Sequence, residues 1–311
     1  MKRMAFFFFV AALLVPLVMS IGCSPGGSGA TAGGKVNVVA SFYPLFEAAR
    51  QVGGEKAAVS NLVPAGTEPH DFEPTPKQVA SLYKATVVVF NGAGLEAWLD
   101  RVLPDLKKRG IVAVIASQVT DVLEVTDENN PSQKLPDPHI WLDPVTYEHI
   151  VNAIKDAYVQ VDPASKSYYE ANAAAYVSQL DALDKSYQTT LAPYAKRTIV
   201  TSHNAFQYLA HRYELEVIYI AGLSPDAEPS PQQVAAITRL VKESGIKYIF
   251  FETLVSPRLA QTVAQEAGAR TLVFNPVEGL TPEEIASGKD YITVMQQNLA
   301  NLKTALEAEN G

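Results

Sequence analysis

The sequence predicts an α/β fold of two lobes, each with a mostly parallel sheet flanked by helices, joined by one long rigid helix. Three observations predict it. From Lys35 onward, short apolar runs alternate with longer amphipathic stretches, the order expected of a parallel sheet covered by helices. That order is interrupted by a helical run of about 30 residues and then starts again. The 311 residues, 48% of them hydrophobic, suffice for about two cores of ordinary domain size.

The first lobe is expected over residues 35–162. VNVVASF reads as a buried strand and FEAARQVGG as a helix ending at glycine. AAVSNLVP is a second strand, PKQVASLYKA a helix, and TVVVFNG a strand that runs into a turn. GLEAWLDRVLPDLKKRG is helical and IVAVIAS a strand. TDENNPSQKLPDPH, polar and proline-rich, reads as a loop long enough to be functional. VTYEHIVNAIKDAYVQV is a helix stopped near Asp162 and Pro163.

Residues 163–195 hold the linking helix, whose helical run spans 165–194. At 1.5 Å per residue such a run spans roughly 45 Å, more than the width of a small domain. The second lobe, 196–311, repeats the alternation. RTIVTSH and LEVIYIAG are strands around the helix NAFQYLAHRYE. SPQQVAAITRLVKESG is a helix with Ser230 as its N-cap and Gly245 at its end. KYIFFET, a helix over 257–267 and RTLVFNP follow, and a last helix starts near Tyr291. A cleft between the lobes is the default binding site.

Composition excludes several classes. Lys and Arg number 25 against 33 Asp and Glu, a formal charge of −8 without a basic block, so no nucleic-acid partner is expected. The single cysteine rules out an intrachain disulfide framework and a cysteine-based zinc site.

Residues 1–22 have the plan of a secretory signal peptide: Lys2 and Arg3, then an apolar stretch broken by Pro16. The rival reading is a single membrane-spanning anchor. Cys23 favours export. Met19-Ser20-Ile21-Gly22-Cys23 resembles a bacterial lipobox, with Ser20 where leucine is usual, and implies cleavage before Cys23 and lipidation of its thiol. The small polar residues that follow make 23–34 a flexible tether, holding a soluble body at the outer face of a membrane.

Five histidines are present, and three sit where structure requires none. His70 lies in the loop GTEPHDFEP, His139 in DPHIWLDP just before a helix, and His203 at the end of the strand RTIVTSH. Glu278 lies in NPVEGLTPEE, just past the strand RTLVF. None of the four is a sequence neighbour of another, so only tertiary structure can unite them. Loops at the carboxyl ends of parallel strands share one edge, and the two lobes contribute two such loops each. Taken singly, each histidine reads as a surface residue. Taken together, three imidazoles and a carboxylate form a shell that tetrahedral Zn²⁺ accepts. His149 and His211 fall inside helices and read as packing or surface residues. Glu283 and Glu284, after Thr281 and Pro282, read as first-turn helix charges.

At these motifs residues 35–311 resemble the zinc and manganese substrate-binding proteins of bacterial ABC importers, the cluster whose lobes are bridged by one long helix. GTEPHDFEPTP, DPHIWLDP, TSHNAF, SPDAEPSP and NPVEGLTPEE carry the resemblance in the expected order. It implies that His70, His139 and His203 are metal ligands, with Glu278 the fourth, as in zinc-type members; other members carry an aspartate near the position of Asn275. Manganese members tend to have a carboxylate where this chain has His203, and imidazole-rich sites suit Zn²⁺, so zinc is the expected metal and manganese the alternative. The loop TDENNPSQKLPD lacks the histidines that many zinc members carry there.

Asp71, Glu73 and Asp143 flank ligands and are candidates to orient imidazole N–H groups. Glu252 is expected to line the cleft, and Glu228 to fix a loop or lobe contact. The implied function is extracytoplasmic zinc capture in the cleft and delivery to a membrane ABC permease by a monomer that is not an enzyme. A zinc-dependent hydrolase and a surface adhesin are the readings from other classes. No H-E-x-x-H helix, G-x-S-x-G turn or nucleotide-binding G-x-x-x-x-G-K-[ST] motif occurs, so ATP hydrolysis belongs to a partner.

Overall fold

The computed structural model describes residue 1 and residues 34–127, 130, 132–227 and 229–311. The expected signal peptide beyond Met1, the lipidation site Cys23, the tether up to residue 33 and Glu228 lie outside the described residues. Among the described residues no helix is long and apolar enough to cross a membrane.

Two four-stranded parallel sheets form the frame. In the first, β1 (Val36–Ala40) lies between β2 (Ala57–Asn61) and β3 (Val87–Phe90), and β4 (Val112–Ile115) pairs with β3. In the second, β7 (Thr198–His203) lies between β8 (Glu216–Ala221) and β9 (Tyr248–Phe251), and β10 (Arg270–Val273) pairs with β9. Both sheets thus place their strands in the order second, first, third, fourth. Such an order reverses direction beside the first strand, and the crevice at the carboxyl ends there is where open α/β sheets bind ligands.

The valine-rich strands alternate between two cores. Val38, Ala40, Val87 and Val89 face a central core shared by both lobes, while Val39, Val88 and Phe90 face an outer core with Leu99, Val102 and Leu106 of α3 (Leu99–Lys108). In the second lobe Val200, Ile220 and Ile249 face an outer core with Val241 of α7 (Pro231–Ser244) and Val263 of α8 (Arg258–Ala267). The central core collects α1 (Tyr43–Gly53), α4 (Pro144–Val161), α5 (Lys166–Leu191) and α10 (Tyr291–Asn310).

Helix α5 is the expected spine. Its buried face runs Tyr169, Ala173, Tyr176, Leu180, Leu183, Tyr187 and Leu191, spacings of three and four that form one stripe. Its first turns hold the first lobe: the Asn172 amide donates to Val52 O (3.1 Å), and the Tyr168 hydroxyl accepts from the Glu55 N–H (3.0 Å). Its last turns hold the second lobe: Tyr187 donates to Met295 O (2.8 Å) and stacks on Tyr213, ring centroids 4.9 Å apart. The helix stops at Leu191, short of the expected end, because Pro193 follows within two residues and cannot continue it.

Four helix starts share one device, a capping side chain followed by proline: Thr75 for α2 (Pro76–Leu82), Asp143 for α4, Ser230 for α7 and Thr281 for α9 (Pro282–Ala286). Three expectations are adjusted. Helix α3 begins at Leu99 rather than Gly94, because the Glu96 carboxylate turns back to accept the N–H groups of Asn91 and Gly92, both at 2.8 Å. Gly92 itself has φ +74, and a side chain there would collide with Ser117. The polar loop holds a two-stranded antiparallel ribbon, β5 (Glu124–Thr126) with β6 (Lys134–Pro136). Helix α6 spans only Gln207–Tyr213, closed by Glu214 in the left-handed region.

Candidate metal centre

Each of the four expected ligands is placed by its own local turn. His203 is the last residue of β7, beside the strand-order reversal of the second sheet. His139 follows β6, where its N–H donates to Asp137 Oδ1 (3.0 Å), an Asx turn, and where the Asn91 amide grips Pro138 O (2.8 Å). His70 lies in the loop between β2 and α2. Its N–H donates to both carboxylate oxygens of Glu68, at 3.1 and 3.0 Å, and the Gly66 N–H reaches across to Leu280 O (2.9 Å). Glu278 follows β10 through a tight turn in which Val277, a β-branched residue, has φ +58. Strain of that kind persists where the surroundings fix it. Here Asn275 accepts the Val277 N–H (2.7 Å), donates to Thr253 (2.9 Å), and has its own backbone N–H and C=O held by the Asn298 side chain at 2.9 and 2.7 Å.

These turns bring one donor atom from each of His70, His139, His203 and Glu278 within 4.8 Å of one another. Glu278 Oε1 lies 3.3 Å from His70 Nε2, 3.3 Å from His139 Nε2 and 3.5 Å from His203 Nε2. The Nε2 atoms of His139 and His203 are 3.3 Å apart. A tetrahedral zinc with ligands at about 2.0–2.1 Å separates its donor atoms by about 3.3 Å, so these spacings fit one ion at the centre. His139 and His203 are fully buried and Glu278 is 1% exposed, whereas the His70 side chain keeps 9% of its surface.

Two of the rings are held from behind. His139 Nδ1 lies 2.7 Å from Asp137 Oδ1, and His203 Nδ1 lies 2.6 Å from Glu252 Oε1, which also accepts from the Ser202 hydroxyl. A carboxylate at Nδ1 keeps the proton there and turns the Nε2 lone pair toward the centre. The same carboxylates control basicity. Burial works to lower the His139 and His203 pKa values, but Asp137 holds the first above its usual range, and Glu252 with Glu278 pushes the second up to about 10. Burial lowers His70, against the opposing pull of the Glu278 carboxylate. Burial also acts to raise Glu278, yet hydrogen bonds from His139, His203 and His70 hold it well below the usual carboxylate range. Glu68 is pushed up to about 8 by burial and by the Glu278 charge, against the pull of the His70 N–H.

The structure therefore gathers His70, His139, His203 and Glu278, and not Asn275. It places Glu252 as expected, beside the cleft on His203. The carboxylates flanking the ligands in sequence are elsewhere: Asp71 is exposed, Glu73 pairs with Arg101 at 2.8 Å, and Asp143 caps α4 and meets Arg212 at 3.2 Å. Asp137 takes the place those residues were expected to fill, behind an imidazole ring, whereas Glu68 accepts the His70 backbone N–H. The signal for Asp137 was present in D-P-H, where an aspartate two residues before a histidine closes an Asx turn onto it. His149 and His211 are exposed on α4 and α6.

Comparison with known proteins agrees with this geometry. The model of the family ZnuA, described as zinc-uptake complex component A, periplasmic, matches residues 38–305. The high-affinity zinc uptake system protein ZnuA of Bacillus subtilis (strain 168) is 38% identical over 313 residues, covering 98% of this chain and 98% of that protein. The zinc-binding lipoprotein AdcA of Streptococcus pneumoniae is 40% identical over 286 residues, 89% of this chain but 57% of AdcA, so the chain spans little more than half of that relative. Among solved structures, the Zn(II)-bound ZnuA-like domain of Streptococcus pneumoniae AdcA superposes with a TM-score of 0.77 at 41% identity, covering 88% of this chain and all of that domain. A family model that runs from β1 into α10, and so takes in both sheets and all four gathered residues, establishes that the chain belongs to the ZnuA family of zinc-uptake complex components.

Proposed function

We propose that the chain captures Zn²⁺ outside the cytoplasm, in the cleft between its lobes, and delivers it to the membrane permease of an ABC importer. His70, His139, His203 and Glu278 are its ligands, and zinc is cargo rather than a resident cofactor. The single observation that carries this reading is that four donor atoms gather around one buried point, all within 4.8 Å of one another and four of their six spacings 3.3 to 3.5 Å. Three imidazole nitrogens and one oxygen suit zinc better than manganese, which prefers oxygen donors. Relatives named for zinc uptake and zinc binding support the same assignment.

Capture is favoured over catalysis because four protein ligands complete a tetrahedral shell and leave no position for a reactive water. In this reading residues 1–22 direct export, Cys23 carries the lipid, and residues 23–34 tether lobes 35–162 and 196–311, joined through 163–195, to the outer face of the cell membrane.

Metal analysis of the purified mature chain, with zinc and manganese in competition, tests the proposal. One equivalent of zinc that manganese does not displace is expected. Preference for manganese, or a hydrolytic activity lost in Glu278→Gln with the metal retained, overturns it.

A further inference from the structure

The segment 137–143, which carries His139, is gripped at both ends by one helix of the other lobe. At its start, Tyr208 on α6 donates its hydroxyl to Asp137 O (3.1 Å) and accepts the Leu123 N–H (2.9 Å). At its end, Arg212 Nε lies 3.2 Å from Asp143 Oδ1 and 2.6 Å from Asp184 Oδ1 on the linking helix α5. Tyr208 and Arg212 are four residues apart, so they project from the same face of α6. That helix begins a few residues after His203. The element that follows one ligand therefore holds the segment bearing another.

Neither contact is needed to form the local structure it touches. Asp143 already caps α4 by accepting the Val145 N–H (2.9 Å) and the Thr146 hydroxyl (2.9 Å). The Asp137 side chain already closes the turn onto His139. The segment is also tied elsewhere, by Trp141 Nε1 to Pro276 O (2.7 Å) and by the Tyr291 hydroxyl to Trp141 O (2.6 Å). What Tyr208 and Arg212 add is a fixed distance between two lobes. Asp137 is the group behind the His139 ring, so a shift at its backbone moves the Nε2 atom that faces His203.

We propose that Tyr208 and Arg212 are positioning residues of the metal centre, a two-point brace on α6 that fixes the His139–His203 separation and thereby sets zinc affinity. The inference rests on the zinc-capture reading. Outer partners of ligating histidines change metal affinity by about 10–100-fold, and the brace, one contact further out, is expected at the lower end of that range.

The test uses the full chain with Tyr208→Phe, Arg212→Gln and the double variant. Zinc dissociation constants are measured by competition with a chromophoric chelator, and the visible spectrum of the Co²⁺-loaded protein reports ligand geometry. Each single change is expected to weaken zinc on the order of tenfold and to alter the Co²⁺ bands. Tyr208→Phe keeps the buried ring, and Arg212→Lys keeps the charge without the two-carboxylate reach of the guanidinium, so the latter replaces Arg212→Gln should that variant not fold. In an Asp137→Asn background, Tyr208→Phe is expected to cost little more, since its effect passes through Asp137. Wild-type zinc affinity and Co²⁺ spectra in the variants, with only the melting temperature lowered, overturn the brace. So does an undiminished tenfold effect in the Asp137→Asn background. A wild-type chain that takes up no zinc overturns instead the capture reading on which the brace rests.

Discussion

The Nε2 atoms of His139 and His203 face each other at 3.3 Å inside a pocket closed to solvent. Two imidazole lone pairs cannot share that distance without a positive charge between them. Each ring already has a carboxylate at Nδ1, so the positive charge belongs on the Nε2 side, as a proton or as a metal ion. Glu278, ionised and 3.3 to 3.5 Å from all three histidines, adds the negative charge that such an ion needs. A cation is the natural content of such a pocket.

Removing one of the facing rings should therefore remove the site. His203→Ala and His139→Ala are each expected to weaken zinc by more than the 10–100-fold typical of losing an outer partner. His149→Ala, on an exposed turn of α4, should leave affinity unchanged. Equal losses in all three variants, measured by chelator competition, would refute the ligand assignment.

Glu252 acts on the ion only through His203. Glu252→Gln keeps an oxygen that can accept from Nδ1 but removes the charge that makes the ring basic. Zinc affinity is expected to fall about tenfold rather than to vanish, with stoichiometry unchanged. Complete loss of binding would mean that Glu252 is itself a ligand.

Much of this was legible in the sequence, and the limits have physical causes. Among the proposed ligands, His70, His203 and Glu278 stood out because each comes at or shortly after an apolar strand-length run, and strand ends in parallel sheets share an edge, while His139 stood out in a loop just before a helix. The Thr-Pro, Asp-Pro and Ser-Pro pairs that start α2, α4, α7 and α9 are local signals, and all of them mark real caps. Orientation of the imidazoles was less legible. Glu73 and Asp143 also lie within one helical turn of the histidines in sequence, but each is claimed by a distant arginine, Arg101 and Arg212, that sequence spacing cannot reveal. The ribbon β5–β6 was hidden because its three-residue strands are too short to show alternation. Glu96 delayed α3 for a similar reason: the groups it accepts from are freed by the turn at Gly92, a tertiary circumstance.

Zinc uptake should release protons. Glu252 and Glu278 raise His203 to about 10, so its ring carries a proton near neutral pH that it must lose from Nε2 to coordinate, and Asp137 shifts His139 in the same direction. Affinity is accordingly expected to rise with pH through the neutral range and to fall steeply toward pH 5. Calorimetry in buffers of different ionisation enthalpy should show protons released on zinc binding at pH 7. A buffer-independent enthalpy, or an affinity flat between pH 5 and 8, would contradict histidine ligation.

Glu148 offers a prediction about stability that is separate from the metal. Its Oε1, on α4, is enclosed with no hydrogen-bond partner among the described residues, and burial, with the charge of Asp181 nearby, pushes its pKa up to about 7. A folded-state pKa above the unfolded value near 4.5 means that folding favours the protonated form. Its contribution to stability is then fully present below about pH 4.5 and is lost as pH rises through 7. Glu148→Gln removes the ionisation while keeping the shape. The variant should therefore melt near the wild-type temperature at pH 4.5 and above it at pH 8, with zinc affinity unaltered. A variant that melts lower than wild type at pH 8 would show that the ionised carboxylate is instead stabilised where it lies.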